Sequence, residues 1–508
     1  MWDTIVIGSG IGGLTAACAL ARRGQRVLVL EQHAVAGGMT QTFGRQGWTF
    51  ATGVHYIGGV GGQPGAEGQF GRLLDWLGGG ALRFASCGNP YDIVRLPGFE
   101  FGIEHPEEAY RAALLRRFPS QGPAIDRWFE QMEAARRAAY AMLAARGMPS
   151  WLAWGLRLWR GSEIERWRER TLADALAEVP DGQLRAVLGA RWGDYGAAPD
   201  TAPLLEHALV TGAYNAGAFF PVGGSARFAQ TLQPVIESAG GEVRLNALVQ
   251  RIVVADGRAS GVIVRGPAGE QQETARHVVS AMGVLNTAAC LEADVAPEWQ
   301  QAVRSLKPGL AYVCLYIGFE GNIAAAGASA ANVWLYESLE IGRVWHEPAD
   351  EDAPALFVSF PSLKDPACTG GPTAEVLVLC TASSFAAWLH PQADKAVADY
   401  AATKAWIEDR LLSQFKRHFP ALAPLVRHHE LATPVTQQRY ACSPDGAMYG
   451  IEMTSERLAS PALDVRTPVP GLLLAGQDVA GAGVPAASMS GLMAAAAIEP
   501  ALLRQLGR

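Results

Sequence analysis

Apolar positions along this chain fall into three regimes, and the first is the most regular. Asp3-Thr4-Ile5-Val6-Ile7 is a short apolar run of strand type that leads straight into Gly8-Ser9-Gly10-Ile11-Gly12-Gly13. The Ala- and Leu-rich segment from Leu14 to Arg23 predicts a helix ending at Gly24, and Arg26-Val27-Leu28-Val29-Leu30 predicts a second strand closed by Glu31. The second regime, from Glu107 to about Arg191, is helical. Pro123 suits a first helical position, and Ile125, Trp128, Phe129, Met132 and Ala135 recur at three-to-four spacing. The third regime alternates: Leu310 to Phe319, Asn332 to Tyr336, Ala355 to Phe360 and Glu375 to Cys380 predict a largely antiparallel sheet, one face of which floors a substrate cavity.

The segments between these regimes set the domain plan. Residues 60 to 80 read as a glycine-rich loop followed by a short helix around Phe70 to Leu77. After Phe219 to Ser225, a helix from Ala226 to Ala239 is followed by strands at Val243 to Leu248, Arg251 to Val254 and Gly261 to Val264, with Asp256-Gly257 as a hairpin turn, and by a strand from His277 to Ala281. A long helix, Asp394 to His418, stops before Pro420. The strand in Val469 to Asp478 precedes a last helix opened by Gly481 to Pro485. The expected fold is α/β. A discontinuous Rossmann-like domain of residues 1–85, 222–295 and 440–508 carries an inserted α+β substrate or cap domain of residues 86–221 and 296–439.

The opening strand, turn, helix, strand and acid have the chemistry of a dinucleotide site. Gly8 makes the tight turn, Gly10 lets the backbone approach a pyrophosphate, Gly13 lets helix and strand pack closely, and the helix N-terminus attracts the anion. Glu31, eighteen residues after Gly13, is placed to accept hydrogen bonds from a ribose hydroxyl. This much suits NAD or FAD. The pair Gly37-Gly38, followed by Met39 to Phe43, moves the expectation to FAD, because it lets the chain run along the remainder of a longer cofactor.

Composition narrows the partners. A formal charge of −7 with no long Lys/Arg run argues against nucleic acid. Seven scattered cysteines without a CxxC point to reduced thiols in a cytoplasmic setting and to no disulfide framework or metal site. No signal peptide is read ahead of the first strand, and no segment has the length of a spanning helix. Trp151 to Arg160 interleaves tryptophans with arginines. It suits a helix at a lipid surface or over a greasy tunnel, or equally a cap helix whose tryptophans pack in a core.

The GxGxxG with Glu31, the Gly37-Gly38 pair, the run Thr52-Gly53-Val54-His55-Tyr56-Ile57-Gly58 and the Gly471 to Gly491 block resemble the FAD-dependent family of phytoene desaturases, carotenoid isomerases and retinol saturases. The His55-Tyr56 run, with Thr433 to Thr436, Arg439-Tyr440 and Gly446 to Gly450, is most similar to the carotenoid isomerase and retinol saturase branch. The resemblance implies FAD contacts from Gly8, Gly10, Ile11, Gly12 and Gly13 at the pyrophosphate, and from Glu31 and Gln32 at the ribose. It implies others from Gly37, Gly38, Met39 and Thr40 near the ribityl chain, from Val249 at the adenine, and from Gly476, Asp478, Gly483 and Val484 on the flavin side. One departure stands out: the family commonly has an acid two residues before the glycine of this run, where this chain has Ala51.

A flavin exchanges hydride at N5, so the protein must align a carbon, exclude water and supply a proton. His55 and Tyr56 are the candidate proton donors. Arg439 and Tyr440 are further catalytic candidates, with a structural role as their alternative. Trp345 and His346 read as sheet residues. The leading expectation is an enzyme that saturates, desaturates or isomerises a carbon-carbon double bond in a hydrophobic polyene, exchanging electrons with NAD(P)H, a quinone or a redox protein. The alternatives are a flavin amine oxidase and a non-catalytic FAD-containing binding subunit.

Overall fold

The computed structural model describes residues 1–61, 68–147, 150–348, 351–391 and 399–506. Part of the glycine-rich loop at 60–80, the start of the helix expected from Asp394, and the side chains of Trp151 and Trp154 lie outside the described residues.

Five strands run parallel in the order Glu242–Arg244, Val27–Leu30, Trp2–Ile7, Gly269–Ser280 and Leu472–Leu474. Their apolar runs are buried because helices cover both faces of a parallel sheet. Ile5, Val6, Val27, Leu28 and Val29 are wholly inaccessible. The helix Ile11–Ala21 is buried along its whole length and packs on the last long helix, Gly483–Ile498, where the Thr15 and Ser488 hydroxyls bond at 2.7 Å. Gly269–Ser280 pairs in parallel through its second half and with Arg258–Gly266 in antiparallel through its first. The Asp256-Gly257 turn stands where expected, with both residues at positive φ. The strand expected over Val243 to Leu248 is instead broken. Asn246 takes φ +53 and bonds to His33 O, so Glu242–Arg244 joins the sheet edge and a new strand, Leu248–Ala255, begins beyond it.

The second sheet contains the alternating runs as Ala311–Phe319, Asn332–Tyr336, Ala355–Ser359 and Thr373–Cys380. It gains Val426–Ala432 at one edge and Asp92–Leu96 with Phe99–Ile103 at the other. The edge position of Val426–Ala432 explains its polar sequence: an exposed rim tolerates Arg427 and His429. One face of the sheet packs on the helix Tyr400–His418, through Phe415 and Phe319 among others. The other face turns towards a cavity. Helices Gly122–Gly147 and Leu204–Gly212 line that cavity, and Glu107–Arg117 and Ser150–Glu169 pack on the first of them, with Ile125, Trp128, Met132 and Ala135 buried at the expected spacing. Among the described residues no helix is long and apolar enough to cross a membrane.

Candidate active site

One continuous cavity of about 860 Å³ runs from the glycine turn to the second sheet. At one end Gly8, Gly10, Ile11 and Gly12 present the start of the helix Ile11–Ala21, and Glu31, Gln32 and Val249 line the wall beside them. The Glu31 carboxylate accepts from the Ser9 N–H (2.9 Å), the Ser9 hydroxyl (2.6 Å) and the His33 N–H (2.8 Å), which locks the turn to the second strand. Gly37 donates its N–H to the Ser9 hydroxyl, so Gly37 and Gly13 support the turn from outside the cavity wall. Gly38, Met39 and Thr40 line the next stretch, and Gly476, Asp478, Gly483 and Val484 face them. Asp478 is buried, and its two oxygens accept the N–H groups of Val284 (2.9 Å) and Ile451 (3.0 Å). Here it ties three loops together beside the cavity. A Cβ on Gly10 would meet no atom within 4 Å, so the backbone there opens directly onto the cavity. That bare surface at a helix N-terminus, with an acid at the ribose position and a cavity continuing for the length of a longer cofactor, fits FAD.

The far end is walled by aromatic side chains, Trp192, Tyr214, Tyr312, Trp334, Tyr336 and Phe357. His55 and Tyr56 meet here. The His55 Nδ1 lies 2.7 Å from Glu375 Oε2, and Glu375 Oε1 accepts the Ala51 N–H at 2.6 Å. The carboxylate absent from position 51 is thus replaced beside it by one from the second sheet. Glu375 is wholly buried, and His55 Nε2 is buried without a hydrogen-bond partner. A buried polar atom without a partner is costly, so its presence in a cavity wall points to a ligand-facing role.

Tyr56 donates to Asp194 Oδ2 at 2.7 Å and lies 3.4 Å from Asp92 Oδ2. Asn332 donates to Asp92 (3.0 Å), and the buried Lys364 donates to His55 O (2.8 Å), to Ser359 Oγ (2.7 Å) and to Asn332 Oδ1. Burial, reinforced by Asp92, pushes the Asp194 carboxyl up to about 7, against the pull of Arg191. Burial likewise raises Asp92 and Tyr56 and lowers Lys364.

Arg439 and Tyr440 do not join this group. Tyr440 is 48% exposed and packs edge-on to His33 at the Glu31 end, and the Arg439 guanidinium stacks on the Tyr440 ring. The helix Pro434–Ala441 ends there in a left-handed Cys442, which bonds to Gln32. Trp345 is a buried residue at the sheet margin, bridged to Cys380, and lies outside the cavity wall. Asp194, Asp92, Lys364 and Glu375 were not anticipated. Glu375 had a signal, as the one charge in the apolar run Thr373–Cys380. A strand buried on both faces keeps a charge only where it is bonded.

A family model described as flavin containing amine oxidoreductase matches residues 11–499. The chain is 32% identical to human all-trans-retinol 13,14-reductase, over 98% of this chain and 85% of that protein. It is 24% identical to the chloroplastic prolycopene isomerase of Daucus carota, over 97% and 79%. Among solved structures, cyclohexylamine oxidase from Brevibacterium oxydans IH-35A superposes with a TM-score of 0.64 at 20% identity, over 100% of both chains. Putrescine oxidase superposes at 0.66 and 16%, over 98% and 99%.

Proposed function

The chain belongs to the flavin containing amine oxidoreductase family, and from that premise we propose that it is an FAD-dependent oxidoreductase acting on carbon-carbon double bonds of a hydrophobic polyene of retinoid or carotenoid type. Saturation is the reading we favour, because the relatives named as retinol 13,14-reductases are the more similar. The observation that carries the substrate class is the aromatic far end of the cavity, where flat side chains can stack along a conjugated chain.

In this reading residues 1–85, 222–295 and 440–508 hold the cofactor, and the remainder holds the substrate. Gly8, Gly10, Ile11 and Gly12 bind the pyrophosphate through backbone N–H groups, Glu31 and Gln32 bind the ribose, and Val249 lies against the adenine. Gly38, Met39 and Thr40 guide the ribityl chain, while the N-terminus of Gly483–Ile498, at Val484, stabilises negative charge on the ring. The bound flavin supplies hydride transfer. His55 and Tyr56 are the proton-bearing groups that face the substrate, and the aromatic wall excludes water. Electrons arrive from NAD(P)H, a quinone or a redox protein that docks transiently. Trp159, 77% exposed on Ser150–Glu169 with Arg160 stacked on it, gives that helix a contact for a lipid surface from which an apolar substrate can enter. Tyr140 stands exposed on the adjoining helix and lines the cavity.

Amine oxidation is the reading an acid in the cavity wall would favour. Here Asp194 in that wall already accepts from Tyr56 and is faced by Arg191, so its carboxylate is partnered within the protein. The test is the product. Purified protein should be yellow. With its flavin reduced anaerobically and all-trans-retinol added, chromatography should show a product with one double bond fewer. Peroxide release with an amine, and no change in the polyene, would overturn the reading.

A further inference from the structure

We propose that Tyr56 delivers the proton to the polyene and that Asp194 resupplies it through a buried relay that reaches the surface at Glu107. The proposal rests on the saturation reading above. Tyr56 and Asp194 both line the main cavity, with the phenol oxygen 2.7 Å from the carboxylate. The Tyr56 ring stacks on Tyr214 (4.6 Å between centroids), and Tyr214 stacks in turn on Tyr91 (5.9 Å), whose hydroxyl accepts from Arg191 at 2.7 Å. Tyr91, Arg191 and Tyr214 wall a second cavity of about 30 Å³, room for one water. Glu107 forms part of its outer wall. That side chain is 31% exposed and accepts from Asn215 (2.6 Å) and Arg136 (3.3 Å). Tyr214 and Asn215 belong to both cavities, so the second cavity meets the main one at that pair, where Tyr214 stacks on Tyr56.

His55 is placed differently: its partner Glu375 accepts otherwise from the Ala51 N–H and lines neither cavity, whereas Asp194 lines the main one. Asp194 faces Tyr56, Asp92, Arg191, Tyr214, Tyr336 and Tyr449. Burial and Asp92 hold it near 7, so it loads and unloads its proton close to neutrality.

Saturation consumes one hydride and one proton. The hydride comes from reduced flavin, itself restored by an external two-electron donor of the nicotinamide or quinol class, and makes the first new C–H bond. The π pair of the double bond makes the second, with the proton that leaves the Tyr56 oxygen. When Asp194 is protonated, its carboxyl becomes the donor across the 2.7 Å contact and frees the phenol proton for the substrate, and the Asp194 proton moves to that oxygen in the same event. Tyrosine therefore ends neutral, and the charge rests on Asp194 near Arg191 until water on the Glu107 side reprotonates it.

The test uses FAD-loaded protein, with flavin pre-reduced by dithionite and all-trans-retinol as probe. Tyr56→Phe and Asp194→Asn should each slow single-turnover saturation at least about 100-fold, with retinol binding, read by fluorescence, within about threefold of the parent. Asp194→Glu should recover part of the rate. Independently of turnover, infrared difference spectra of the substrate-free protein between about pH 5.5 and 8.5 should show a protonated carboxyl band that titrates near neutrality. The band should be missing from Asp194→Asn and kept in Asp194→Glu. A parent that saturates retinol alongside a Tyr56→Phe variant within threefold of its rate would overturn the relay and leave the proposed function standing. A parent that leaves retinol unchanged would overturn the function. In that event the infrared arm decides the relay, and a titrating band that survives in Asp194→Asn overturns it.

Discussion

Gly10 and Gly13 stand in one motif, yet replacing each by alanine should have opposite consequences. Gly10 has φ −59° and ψ 166°, a conformation alanine adopts without strain, and its added Cβ would meet nothing within 4 Å. Gly10→Ala should therefore keep its fold stability within about 0.5 kcal/mol, or gain up to about 1 kcal/mol from a stiffer unfolded chain. The same methyl stands where the pyrophosphate must meet the helix N-terminus, so FAD affinity should fall about 100-fold, or about 2.7 kcal/mol. At Gly13 an added Cβ would lie 2.1 Å from Gly8 O, far inside ordinary contact. Relief requires the turn to open by about 1 Å in a packed interior, at a cost of about 1–3 kcal/mol. Urea unfolding of the flavin-free proteins, followed by tryptophan fluorescence, measures the first quantity. Quenching of FAD fluorescence on titration measures the second. Gly10→Ala binding FAD within about threefold of the parent would refute the placing of the pyrophosphate, and a parental urea midpoint for Gly13→Ala would refute the packing argument.

Glu375→Ala leaves the Ala51 N–H and His55 Nδ1 without their buried acceptor, and at about 1–3 kcal/mol for each group the urea midpoint should drop clearly. An unchanged midpoint would mean that water replaces the carboxylate. Asp194 binds its proton more tightly folded, near 7, than unfolded, where the ordinary value is 3.8. Its contribution is therefore fully present below about pH 4 and is lost as pH rises through 7. Asp194→Asn, which cannot ionise, should gain stability relative to the parent over that window, and parallel curves from pH 4 to 8 would contradict this. Trp159→Ser should reduce flotation with anionic phospholipid vesicles several-fold without moving the flavin spectrum. Equal flotation would remove that helix as the lipid contact.

The two ends of the cavity differ in how far they can be read from sequence, and the reason is chain separation. The dinucleotide end lies within Met1 to Glu31, where strand, turn, helix and acid are close in the chain and each glycine has a local steric cause. The alternating strands of the second sheet were equally legible, because burial on one or both faces imposes its own periodicity. The chemistry between them is assembled across the chain. Ala51 reads as a lost acid until Glu375, 324 residues away, brings a carboxylate to its N–H. Asp194 is an ordinary charge in a helical stretch until it meets Tyr56, 138 residues away. Arg439 and Tyr440, by contrast, looked catalytic because the chain returns to the cofactor there, but the end of their helix sets Tyr440 beside His33, with Arg439 stacked on it, rather than at the aromatic wall. Cofactor binding and turnover are thus separable. A chain that kept every glycine of the opening motif but lost Glu375 or Asp194 should still bind FAD, because neither acid bonds to the glycine turn or to Glu31. It would then lack the carboxylate that orients His55, or the acid that feeds Tyr56, and so would hold a reducible flavin that transfers hydride poorly to a polyene.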